Sequence, residues 1–169
     1  VTHFDEADIT DLETFRAGLN GALVPGDVKI SPLAFVIKAV IQALKKYPRF
    51  NASIDPGYEH WVVKRFFNIG IAVETPNGLV VPNVKSADLQ SVATLARSAA
   101  ELAELARNKQ LLPAQMQGTT FTISSLGGIG GTGFTPIVNS PEVAILGVAR
   151  TQLLPRYVAG ALEPRKILP

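Results

Sequence analysis

The stretch from Thr119 to Pro141 limits the fold more than any other part of the chain. It begins as a β-rich run, Thr119 to Ser125, then enters a glycine-dense tract ending at Gly133, with Pro136 and Pro141 beyond. Gly128-Ile129-Gly130-Gly131-Thr132-Gly133 matches the dinucleotide fingerprint G-x-G-x-x-G and follows a strand. In that fingerprint a helix begins at once, holds a pyrophosphate on its N-terminus, and has an acidic residue about 20 positions on. Here two prolines forbid the helix, and Arg150 and Arg156 stand where the acid would be. A nicotinamide-dependent activity is therefore set aside. The phosphate-loop pattern is absent too, since no Gly-Lys-Ser/Thr occurs. What remains is Thr122-Ile123-Ser124-Ser125, a strand end bearing hydroxyls that runs into a loop whose glycines allow close approach. Ser124 or Ser125 could donate to a ligand or an oxyanion there, or simply satisfy backbone groups at the strand end.

Around this stretch the hydrophobic period alternates between helix and strand, which is an α/β pattern. Thr10-Asp11-Leu12-Glu13 reads as a capping box, with Thr10 as N-cap of a short helix to about Asn20. Ser31-Pro32 opens a second helix as N-cap and first residue. Its stripe of Leu33, Val36, Ile37, Val40, Ile41 and Leu44 is closed by Lys45, Lys46 and Pro48. From His60 to Val84 three β-rich runs follow, the last two separated by Pro76-Asn77-Gly78, a hairpin signal. Ser86-Ala87-Asp88 then predicts the start of a long helix ending near Lys109, with Leu89, Val92, Leu95, Ala99, Leu102 and Leu105 on its apolar side. Val143 to Val148 is apolar on both faces and predicts a central strand. Tyr157-Val158 and Arg165 to Leu168, around Gly160, predict a closing hairpin cut off in mid-strand.

Composition narrows the function classes. The 169 residues suit one domain. Lys plus Arg is 16 and Asp plus Glu 14, a net charge of +2, too balanced to advertise a nucleic-acid surface. Charged residues are 18%, against about 25% in ordinary soluble domains, so part of the surface is expected to be hidden by self-association. With no cysteine, disulfides and thiolate chemistry are excluded. His3 and His60 are the only histidines. His60 reads as half-exposed and structural, the acids near His3 read as helix caps, and no metal is assigned. No apolar run reaches a membrane span, the acidic N-terminus is unlike a targeting peptide, and a cytosolic interior fits best. The start on Val1 suggests a piece of something longer.

Six motifs then occur in order: Val1 to Thr10 (VTHFDEADIT), Phe50 to Ser53 (FNAS), Asn68 to Val73 (NIGIAV), Gly78 to Pro82 (GLVVP), Thr120 to Gly127 (TFTISSLG) and Pro141 to Val148 (PEVAILGV). Together they resemble the catalytic domain of the dihydrolipoamide acyltransferases of 2-oxo acid dehydrogenase complexes, over essentially the whole chain as one core domain. Gly127 to Asn139 leans towards the pyruvate (acetyl) branch. The resemblance implies a chloramphenicol-acetyltransferase-like α/β fold, a mixed sheet with flanking helices, that forms trimers and builds a cubic or dodecahedral core. It implies acyl transfer between lipoamide, carried on a separate lipoyl domain, and coenzyme A, without a metal. It also implies partnership with the lipoyl domains and other dehydrogenase components, in a bacterial cytoplasm or, in a eukaryote, the mitochondrial matrix.

By the same resemblance the serine of the Thr-Ile-Ser motif, Ser124, donates to the tetrahedral oxyanion. Arg16, Ser31, Glu74, Ser124 and Ser125 match positions that contact coenzyme A. Arg16 suits a phosphate by its fork geometry, and Glu74 suits a hydroxyl. The family's Asp-His-Arg signature, which carries the general base, has no match, and neither His3 nor His60 lies in a matching context. The expectation is an acyltransferase core whose base lies beyond Pro169, so that this chain alone is inactive. The alternative is a non-catalytic acyltransferase-like scaffold subunit.

Overall fold

The computed structural model describes Val1–Pro169. In chain order the elements are β1 (Ala7–Asp8), α1 (Thr10–Gly21), α2 (Pro32–Lys46), β2 (Ala52–Ile54), β3 (Trp61–Val63), β4 (Ile69–Ile71), β5 (Val73–Thr75), β6 (Gly78–Val80) and β7 (Asn83–Val84). There follow α3 (Val92–Arg107), α4 (Pro113–Met116), β8 (Phe121–Ser125), β9 (Ile145–Val148), β10 (Gln152–Val158) and β11 (Ala161–Leu168). No helix is long and apolar enough to cross a membrane.

The core is a four-stranded mixed sheet of order β7-β4-β8-β9, with β4, β8 and β9 parallel and β7 antiparallel to β4. Because side chains alternate along a strand, β8 has two chemically distinct faces. Phe121 and Ile123 join Ile69, Ile71 and Val148 in the apolar core, where Ile37 and Ile41 of α2 and Leu95 and Leu102 of α3 pack. Thr122 and Ser124 lie on the opposite face, level with Gly70 on β4 and Gly147 on β9. Gly70 belongs there for want of room. A Cβ on it would come within 2.7 Å of Thr119 Cγ2, 2.8 Å of Thr122 Oγ1 and 2.9 Å of Val81 Cγ1.

Around the sheet lie three antiparallel pieces. The β2–β3 hairpin is exposed along all of β3, Trp61 included. The β5–β6 hairpin closes at Thr75 and Gly78. The two-residue turn is Pro76-Asn77, and the positive φ of +109° falls on Gly78. The Asn-Gly signal thus places the hairpin correctly but shifts the turn by one residue, because Pro76 holds φ negative. The longest hairpin, β10–β11, turns at Ala159-Gly160, both with positive φ, and β1 adds to its other side.

Four sequence expectations give way to tertiary contacts. Thr10 is not an N-cap: Ile9 takes that position. The Thr10 hydroxyl instead donates to Asp8 Oδ1 at 2.7 Å and accepts from the Lys166 amide at 2.8 Å, joining α1 to β11. The long helix starts at Val92 with Ser91 as its cap, not at Ser86. The Ser86 amide donates to Asn68 Oδ1 and the Ala87 amide to the Phe67 carbonyl, which holds this segment against β4. Leu89 is consequently exposed. The run from Phe67 to Thr75 is two strands, since Ala72 leaves the sheet after donating to the Ile123 carbonyl. Finally, β9 is an edge strand of this chain's sheet, not a central one. Its two apolar faces reflect cover on both sides, Leu146 and Val148 on the helical core and Gly147 beneath Phe134 and Pro136.

Two outcomes follow from this packing. Gly70→Ala forces a methyl group into three contacts that have no slack, and should cost about 1–3 kcal/mol in a denaturant titration. Asp8 accepts from Thr10 and Arg165, which hold its carboxyl down at about 2. A carboxyl lowered from 3.8 stabilises the fold above that value and loses the contribution as pH falls towards 2. Melting of Asp8→Asn should therefore approach that of the wild type between about pH 5 and pH 2, the gap being widest at the upper end.

Candidate functional site

Parallel strands bring their carboxyl ends to one side of a sheet, where crevices form. Here β8 ends at Ser124-Ser125 just where β4 has given way to the β5–β6 hairpin, so the sheet opens beside Ser124. A cavity of about 210 Å³ results, lined by Ser124, Ser125 and Leu126 on one side, Glu74 and Leu79 on the other, and Ile129 from the glycine tract. A second cavity of about 470 Å³ adjoins it, with Ser31 at the start of α2, the Gly127-Gly128 backbone, and Arg150 and Thr151 after β9 on its walls. Ser125 lines both.

The hydroxyls at the strand end are differently committed. Ser125 Oγ accepts a long bond, 3.4 Å, from the Gly127 amide. Ser124 is half-buried on the wall of the smaller cavity, and its hydroxyl offers one donor and two lone pairs to an occupant. Glu74 is exposed on the facing hairpin. Ser31 stands at the N-cap of α2, as its sequence suggests, with its hydroxyl not spent on a capping bond. The loop opposite is held close by Gly147, the partner of Ser124 in register. A Cβ there would come within 3.0 Å and 3.2 Å of the Phe134 ring and 3.3 Å of Pro136.

Thus four of the five sequence candidates, Ser31, Glu74, Ser124 and Ser125, line two adjoining cavities. Arg16 lines neither. Its Nε and Nη2 bond the Glu13 carboxylate at 2.7 and 2.8 Å, and its Nη1 donates to the Ile30 carbonyl at 3.1 Å. Its fork is engaged within the chain, at the residue before Ser31. His60 bonds Asp55 across the β2–β3 hairpin at 3.1 Å, and neither it nor His3 lines either cavity.

Sequence reasoning overlooks Arg150 and Thr151, whose only signal is their place just past the end of a parallel strand. It overlooks Glu142 as well. That carboxyl is 7% exposed and accepts from Asn139 Nδ2 at 3.0 Å. Burial pushes it above the usual carboxylate range, against the pull of the neighbouring Thr122 and Asn139 groups. Neither Glu142 Oε2 nor Thr122 Oγ1 completes a hydrogen bond of good geometry. Thr122 lies two residues from Ser124 on the same face, so Glu142, beside Thr122, is on the face of β8 that carries Ser124. A carboxyl raised above 4.5 stabilises the fold below that pH and loses the contribution as pH rises through its folded value. Glu142→Gln should gain stability relative to the wild type between about pH 4 and pH 7, read as denaturant midpoints.

Known proteins match this geometry. The family described as 2-oxoacid dehydrogenases acyltransferase (catalytic domain) matches residues 1–169. The dihydrolipoyllysine-residue acetyltransferase component of the pyruvate dehydrogenase complex of Cupriavidus necator is 53% identical over all of the chain, which spans 30% of that relative's length. A solved structure of Azotobacter vinelandii dihydrolipoamide acetyltransferase superposes with a TM-score of 0.95 at 48% identity, covering 99% of this chain and 69% of that one. The cubic core of a pyruvate dehydrogenase multienzyme complex does so with the same four values. A chloramphenicol acetyltransferase, at 15% identity and a TM-score of 0.58 over 97% of this chain and 73% of that one, shares the fold. With its sheet opened at Ser124 and its fold shared with these structures, the chain belongs to the 2-oxoacid dehydrogenase acyltransferase family, as part of the catalytic domain.

Proposed function

We propose that this chain is part of an acetyltransferase core that moves an acetyl group between dihydrolipoamide and coenzyme A. The observation that carries the reading is the half-buried Ser124 hydroxyl on the wall of a cavity at the carboxyl end of the parallel strands. Support comes from the Azotobacter acetyltransferase, for whose catalytic mechanism a serine, a histidine and an asparagine have been investigated.

In the step proposed, a base takes the proton from the coenzyme A thiol and the sulfur attacks the carbonyl carbon of acetyl-lipoamide. The carbonyl electrons move to oxygen, and Ser124 donates a hydrogen bond to the oxyanion that forms. The oxyanion then collapses, the carbon–sulfur bond to lipoamide breaks, and the lipoamide sulfur recovers a proton. Ser31 and Ser125 flank the coenzyme, and Glu74 meets a substrate hydroxyl. Arg16, by bonding the Ile30 carbonyl, acts as a positioning residue for Ser31. In this reading the base comes from outside residues 1–169, and it is supported by neither histidine lining the cavities.

The reading includes assembly into a trimer and a larger core, with lipoyl-domain partners in a bacterial cytoplasm; the exposed apolar surface supports only the contact between copies. Ile137 is 90% exposed and Trp61 52%, apolar groups that neighbouring copies would cover.

The test is acetyl transfer from acetyl-CoA to dihydrolipoamide by the full-length protein. Ser124→Ala should lower kcat by about 10²–10³, the usual cost of one oxyanion donor; an unchanged rate removes the role. The distance of both histidines from the cavities favours a second reading, a scaffold subunit without chemistry. Absence of turnover by the full-length wild type would establish that reading instead.

A further inference from the structure

We propose that Glu142 is a positioning residue for Ser124: its buried side chain ties the loop between β8 and β9 to Thr122, and that tie sets where the Ser124 hydroxyl stands. This rests on the acyl-transfer reading above and adds a group outside both cavities on which the oxyanion donor depends.

Glu142 is the buried acid that has no cation. Glu13, the other one, meets Arg16 at 2.7 Å, whereas Glu142 enters no ion pair. Its carboxyl joins two segments instead. Oε1 accepts from Asn139 Nδ2 at 3.0 Å, and the Glu142 amide donates to the Asn139 carbonyl at 2.9 Å, which closes a tight turn. Residues from Gly131 to Pro141 make no other hydrogen bond. Oε2 lies beside the side chain of Thr122, itself 0% exposed, and neither Oε2 nor Thr122 Oγ1 finds a partner elsewhere. Two buried polar atoms in that state are costly unless they serve each other. Burial favours the neutral carboxyl, which has an O–H to give to the threonine oxygen.

The loop anchored in this way lies next to Ser124. It carries Phe134 and Pro136, which sit so close over Gly147 that a Cβ there would come within 3.0 Å and 3.3 Å of them. Gly147 is the register partner of Ser124, and Thr122 precedes Ser124 by two residues on the same face of β8. The loop therefore meets the β8–β9 pair at two points, one level with Ser124 and one just before it. At Gly147 there is no side chain to resist a sideways shift, so the restraint falls to the anchor at Glu142. An oxyanion donor works only within a narrow range of distance, and a displacement of about 1 Å can cost about 10²-fold in rate.

The experiment measures kcat and KM for acetyl-CoA and dihydrolipoamide in the full-length assembled protein, at equal folded fraction by circular dichroism. Glu142→Ala should lower kcat about tenfold and leave both KM values unchanged. Glu142→Gln, whose amide can still donate to Thr122 Oγ1, should recover most of that loss. The deciding readout is the cycle with Ser124→Ala. Once the oxyanion donor is gone, adding Glu142→Ala should cost nothing more, whereas a purely structural role gives losses that multiply. Should Glu142→Ala fail to fold, Thr122→Val removes the hydroxyl at nearly equal shape and carries the same test, with the same expected loss. An unchanged kcat, a loss confined to KM, or losses that multiply with that of Ser124→Ala overturns the positioning role while the transfer reading stands. If the wild type turns over nothing, the transfer reading falls and the positioning role falls with it.

Discussion

The alternation of β8 governs the arrangement of this molecule. One strand must satisfy two environments, an apolar core beneath α2 and α3 and a polar cavity on the other side. Phe121 and Ile123 supply the first and Thr122 and Ser124 the second. A slip of one residue in pairing would exchange the faces, putting hydroxyls into the core and phenylalanine into the site. Pairing on both sides, with β4 and with β9, holds the register. The glycines level with the polar face, Gly70 and Gly147, then leave room for Thr122 and for the Phe134 loop.

Electrostatics reinforce that division of labour. The periphery is laced by exposed ion pairs, such as Arg165 with Asp8, that join the N-terminal strand to the last hairpin. Pairs of this kind contribute little each to stability, and here they define where β1 docks. Inside, the chain holds two buried acids: Glu13, paired with Arg16, and Glu142, whose carboxyl is pushed towards its neutral form by burial. At the cavities the charges are left unpaired and separated, Glu74 on one wall and Arg150 on another. Unanswered charge beside a crevice is what a substrate with charge of its own can use.

Much of the architecture was legible in residue order. The stripe from Leu33 to Leu44 marked α2, Thr119 to Ser125 marked β8, and Pro136 with Pro141 correctly removed a nucleotide-binding helix. Ser31, Glu74, Ser124 and Ser125 were drawn from motif resemblance and share two adjoining cavities. Two of the readings that failed share a cause. Thr10 and Ser86 carry good local capping patterns, yet the Lys166 amide takes the Thr10 hydroxyl and the Ser86 amide is drawn to Asn68, far away in sequence. The edge position of β9 was equally hidden, because covered faces and a central place leave the same apolar signature.

By itself the sequence determined the periodic elements, the hydroxyl-bearing strand end and the family. Those depend on neighbours a few residues apart and on the chemistry of each side chain. Tertiary structure alone decided that Arg16 is occupied by Glu13 and Ile30, that Arg150 stands free on a cavity wall, and that Glu142 is buried beside Thr122. Whether a charge is paired, exposed or buried depends on chain segments that meet only on folding. No local pattern records such meetings, and the electrostatics of a site are made of them.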